Sequence, residues 1–69
     1  MTPLSYLRAA GECLHGPRWQ TALAEDLGVS LRTVQRWAAG SHPIPDHVPA
    51  RLRSLLEALG VRIREMLAA

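Results

Sequence analysis

Between Gln20 and Gly40 the sequence QTALAEDLGVSLRTVQRWAAG leaves the backbone few choices. Leu23, Ala24 and Leu27 recur at helical spacing, Gly28 interrupts them, Val29 is apolar again, and Val34 and Trp37 restart a helical pattern. Two short helices joined by a sharp turn satisfy that order. Gly28 falls where the first helix must end, a place that commonly takes a left-handed backbone conformation open to glycine without steric cost. Ala24 falls on the inner face of the first helix, where a larger side chain would push the second helix away. Ser30 is expected to cap that second helix, its hydroxyl accepting from the N–H of Arg32 or Thr33. The helix then continues from Leu31 to Ala39 until Gly40 stops it.

Leu23, Ala24, Leu27, Gly28, Val29, Val34 and Trp37, taken together, resemble the helix-turn-helix of the Cro and phage-repressor family. The motif covers roughly a third of the chain, and most of it once the flanking helices are counted. The resemblance implies an all-α, lambda-repressor-like bundle of four to five helices, forming a single domain over residues 1–69. The helix-turn-helix is expected at about residues 17–39 and a C-terminal helix at about residues 46–67.

Length and composition narrow the classes. A chain of 69 residues buries only about 60% of its unfolded surface, so dimerisation would add a needed margin. With two Trp, one Tyr and no Phe, the interior must be filled by Leu, Val, Ile and Ala. Helix formers dominate, and most Pro and Gly residues fall where helices should start or stop. The net charge is only +2, but all eight cations are Arg, a side chain suited to bidentate contact with phosphate or guanine. A single Cys13 excludes an internal disulfide and fits a reducing compartment. No apolar run approaches the roughly 20 residues of a bilayer span, and no charged-then-apolar leader opens the chain. The expectation is a cytoplasmic, nucleoid-associated protein with no membrane partner.

Thr2 and Pro3 open a first helix as cap and first helical residue, and Leu4, Leu7, Ala10 and Leu14 mark its apolar face, so helix 1 should run from about Pro3 to Cys13. Gly11 costs its interior about 1 kcal/mol relative to Ala and suggests a close helix crossing. Cys13 is expected to be a small buried hydrophobe. His15, Gly16 and Pro17 form a turn, with Pro17 as first residue of helix 2, which reaches Leu27. Trp19 and Leu23 share the core face, and Glu25 and Asp26 fall on a solvated one. After Gly40, the segment SHPIPDHVP cannot be a regular helix through Pro43 and Pro45. Asp46 can cap a new helix with Pro49 in its first turn. From Val48 through Leu52, Leu55, Leu56, Leu59 and Ile63 to Leu67, apolar residues keep phase across Gly60. That favours one long helix, although Gly60 could instead end it and start a fifth. Leu52 to Leu59 would pack on the helix-turn-helix, leaving Ile63, Met66 and Leu67 for a second subunit.

The resemblance also implies a mechanism. A helix fits the major groove, where each base pair displays its own donor and acceptor pattern, and the second helix of the motif is the one that enters. In the family, base reading concentrates on the first two helical residues and one about a turn later, here Leu31, Arg32 and Arg36, with Gln35 beside them on the outward side. Arg32 and Arg36 are four apart and can each fork onto guanine O6 and N7. Leu31 can touch a thymine methyl or pack against the end of helix 2. Arg18, Gln20, Ser30, Thr33, Ser41 and His42 are the phosphate-contact candidates. Arg51 and Arg53 diverge on the last helix, and Arg62 and Arg64 belong to a solvated face. Cys13, His15, His42 and His47 match none of the usual zinc spacings, and no catalytic arrangement has a plausible mechanism. Neither a metal, a cofactor nor an enzyme is therefore expected. The expected function is a DNA-binding transcriptional regulator, a repressor or autorepressor of a small phage or mobile-element operon, binding an inverted-repeat operator as a homodimer. The alternative is a protein-interaction module that keeps the motif without binding DNA.

Overall fold

Each helix begins and ends where local chemistry permits in the computed structural model, which describes residues 1–69 and contains helices but no strands. The elements are α1 (Pro3–His15), a 3₁₀ turn (Gly16–Arg18), α2 (Trp19–Leu27), α3 (Leu31–Ala38) and α4 (His47–Ala68). Thr2 caps α1 by accepting from the Ser5 N–H at 3.1 Å, with Pro3 at the first helical position. The helix persists two residues beyond Cys13, and Gly16 ends it at φ 77, its N–H donating to Glu12 O. Pro17 therefore sits in a 3₁₀ turn, and α2 starts only at Trp19.

The turn between α2 and α3 has the expected form. Gly28 is left-handed at φ 69 and ψ 30, and its N–H donates to Glu25 O at 3.2 Å while that of Val29 donates to Ala24 O at 3.0 Å. Ser30 Oγ accepts from the Thr33 N–H at 3.1 Å, which settles the capping partner. At the far end of α3, Gly40 at φ 75 lets the Ser41 N–H return to Arg36 O at 3.1 Å.

The core is Leu7 and Ala10 from α1, Trp19, Leu23 and Ala24 from α2, Val34, Trp37 and Ala38 from α3, and Val48 and Leu52 from α4. Burying each Leu or Val contributes about 1.5–3 kcal/mol. Gly11 marks the close crossing: a Cβ built there would lie 2.6 Å from Trp19 Cδ2, so the indole of α2 rests on the bare backbone of α1. Arg8 adds a polar tie, donating through Nη2 to Ala38 O at 2.6 Å, where a cation meets the negative end of α3.

Four local expectations are corrected. Cys13 is exposed. At 3.6 residues per turn it lies about a third of a turn from the line of Leu7, Gly11 and Leu14, outside the face that α1 buries. Asp26 is not simply solvated: it is partly buried, and its Oδ2 lies 2.6 Å from His15 Nε2, joining the ends of α1 and α2. Asp46 stands before α4 but is already helical at φ −60, ψ −28 and makes no side-chain cap bond. Pro45 O accepts from the Val48 N–H instead, at 3.0 Å, so the preceding turn starts the helix. Finally, α4 packs chiefly along α1, which also packs on α2 and α3, and not on the helix-turn-helix as expected.

α4 runs unbroken through Gly60 for 22 residues, and Pro49 falls harmlessly in its first turn. Residues 61–69 are all exposed. They stretch the molecule to 43 Å along one axis against 21 and 19 Å across it. No helix is long and apolar enough to cross a membrane.

Candidate functional site

α3 is held by its inner residues and free along its outer ones. Val34 is fully buried and Trp37 is 5% exposed, so Arg32 and Arg36, half a turn away, project directly outward. Both are exposed, as is Gln35 between them. The two ion pairs of the molecule are His15–Asp26 and Arg53–Glu57, so neither Arg32 nor Arg36 is tied down by a carboxylate. Two guanidinium forks at i and i+4 on a rigid helix can each engage a pair of acceptors on a planar edge or a phosphate.

Around this face the structure brings together part of the expected set. Arg18, Gln20, Leu31 and Gln35 line one shallow groove with Pro17, Trp19 and Thr21, between the start of α2 and the start of α3. Leu31 is 38% exposed there, beside the beginning of α2 and not its end, with apolar surface left for a further contact. Gln20 and Gln35 also line a second groove, with Arg8, Glu12 and Trp19. Neither Arg8 nor Glu12 was anticipated from sequence. Their position depends on how α1 crosses α3, a tertiary fact without a local pattern. Glu12 makes that end of the face less hospitable to a phosphate.

The hydroxyl candidates are partly spent on the fold. Ser30 Oγ accepts from the Thr33 N–H and lies 2.9 Å from Thr33 Oγ1, so both residues hold the start of α3. Helix geometry leaves the N–H groups of Leu31 and Arg32 unspent at that end. Ser41 Oγ donates to Arg36 O at 3.1 Å, and His42 Nδ1 is 3.4 Å from Ser41 Oγ; both residues are exposed at the opposite end of α3. Ile63, Met66 and Leu67 lie far along α4, and exposure of 47%, 77% and 80% leaves them uncovered within the chain. No group of three His, Cys, Asp or Glu side chains is close enough to share a metal ion.

No protein-family model, curated protein or solved structure matches the chain.

Proposed function

We propose that this chain is a sequence-specific DNA-binding transcriptional regulator of the lambda-repressor-like helix-turn-helix type, a repressor or autorepressor of a small phage or mobile-element operon. The observation that carries the reading is the joint geometry of α2 and α3. A left-handed Gly28 turn and a Ser30 cap present α3 with Val34 and Trp37 anchored and Arg32, Gln35 and Arg36 facing solvent. In this reading α3 enters the major groove, Arg32 and Arg36 fork onto guanines, Gln35 reads beside them, and Leu31 meets a thymine methyl. Arg18, Gln20 and His42 contact phosphates, and the free N–H groups at the start of α3, beside Ser30 and Thr33, receive another, while both donors of Ser41 are spent on Arg36 O.

One α3 reads only a few base pairs, too few to choose a site in a genome. The operator is therefore an inverted repeat bound by a homodimer through the C-terminal part of α4, where Ile63, Met66 and Leu67 are uncovered. Binding acts by steric occlusion in the cytoplasm, without a cofactor or catalysis. The modest net charge of +2 favours a second reading, a protein-interaction module that uses the same helix pair without DNA. Selection from a randomised duplex pool separates the two. Enrichment of a two-fold symmetric site with guanines in each half supports the regulator, whereas an unenriched pool favours the interaction module.

A further inference from the structure

Along α4, Arg51, Ser54, Ala58, Val61 and Glu65 step alternately by three and four residues, so they share one side of the helix, and all are exposed. That side is about two-fifths of a turn from the line of Leu52, Leu56 and Leu59. At its N-terminal end it forms one wall of a half-open apolar groove of about 390 Å³, closed on the other side by Leu27, Val29 and Trp37. No carboxylate lines this groove, and Arg51 at its edge belongs to neither ion pair. Toward the other end of the same side stands Glu65, equally unpaired, with Val61 (44% exposed) and Met66 close by in sequence.

We propose that a second copy of this chain occupies the groove, with the two α4 helices antiparallel and Glu65 of each copy against Arg51 of the other. This rests on the proposed dimerisation through α4, gives it a direction, and moves its face away from Ile63 and Leu67. Charge complementarity selects the direction. A basic and an acidic residue sit fourteen apart on one side of one helix, about 21 Å along the axis. Parallel pairing would place Arg51 beside Arg51 and Glu65 beside Glu65, whereas antiparallel pairing sets opposite charges together twice. Ala58, seven residues from each, lies at the two-fold axis, where a methyl side chain lets the helices approach closely. In this register residues 62–69 of each copy lie along the groove of the other, with Met66 level with Ala50 and Val61 beside Ser54 at the end of the groove. Ile63 and Leu67 point away from this seam, so of the three residues expected at the dimer contact only Met66 borders it.

Sedimentation equilibrium on the full chain, from about 1 to 500 µM, tests this with Arg51→Glu, Glu65→Arg and the double exchange. Circular dichroism checks that these substitutions at exposed positions leave the fold intact. The wild-type chain dimerises, each single exchange raises the dissociation constant about tenfold, and the double exchange returns it to within about threefold of wild type. Ala58→Glu, which sets like charges at the axis, gives a folded monomer. Single exchanges that leave dimerisation unchanged, or a double exchange that fails to recover it, overturn this face while leaving a dimer through another surface. A wild-type chain that is monomeric throughout, and also on DNA, overturns this seam and the dimer together.

Discussion

Gly28 and Gly11 are indispensable for opposite reasons, one conformational and one steric. Nothing lies within 4 Å of a Cβ built at Gly28, so a side chain there has room but not a comfortable backbone at φ 69. Gly28→Val is expected to cost about 1–3 kcal/mol, and Gly28→Asn distinctly less, because Asn tolerates the left-handed region. Chemical denaturation of both variants checks this, and equal losses would point to a steric cause. At Gly11 the conformation is ordinary but the space is taken by the Trp19 ring. Gly11→Ala gains about 1 kcal/mol of helix propensity and loses about 1–3 kcal/mol by overpacking, so the variant is expected to melt below wild type. A higher melting temperature would mean that the indole moves aside freely.

Within α3, the division between anchored and free residues sets what each substitution should do to DNA binding. Arg32→Ala or Arg36→Ala is expected to remove about 1–3 kcal/mol of discrimination at one base position, while Arg18→Ala weakens all sequences alike. Titrations against a selected site and a scrambled duplex distinguish these outcomes. If Arg32→Ala weakens both equally, Arg32 is a phosphate contact. The helix pair around Gly28 is legible in the sequence because its signals are local: a helical period, a glycine at the turn, a serine cap and a glycine stop. The same holds for Thr2 with Pro3 and for the unbroken phase of α4. What escapes a sequence reading is decided between elements. Cys13 is exposed because α1 buries a narrower face than its apolar content suggests, and Asp26 finds His15 only once the ends of α1 and α2 meet. The contact of Arg8 with Ala38 O, like the packing of α4 on α1, depends on crossing angles that no local pattern encodes. Asp46 misled for another reason: the turn closed by Pro45 O already starts the helix, leaving its side chain without a cap to make.

At the scale of the whole molecule, a small core carries an α4 that outruns it, giving a body 43 Å long. Residues 61–69 contribute nothing to the core, so removing them should leave a folded chain with an almost unchanged melting temperature and much weaker binding to an inverted repeat. A large loss of helicity beyond the deleted turns would instead assign them to the fold. In the proposed dimer, both α3 helices would have to reach successive major grooves on one face of the duplex, so half-sites are expected about one helical turn apart, roughly 34 Å. The central claim is that α3 binds DNA, and the salt dependence of affinity tests it most directly. Fluorescence anisotropy with a selected duplex, from 50 to 200 mM salt, should show log affinity falling linearly with log salt, at a slope of about −0.9 for each phosphate neutralised. Arg18→Ala should make that slope shallower by about one per subunit. Affinity that is independent of salt, or no binding even at the lowest concentration, would contradict the account.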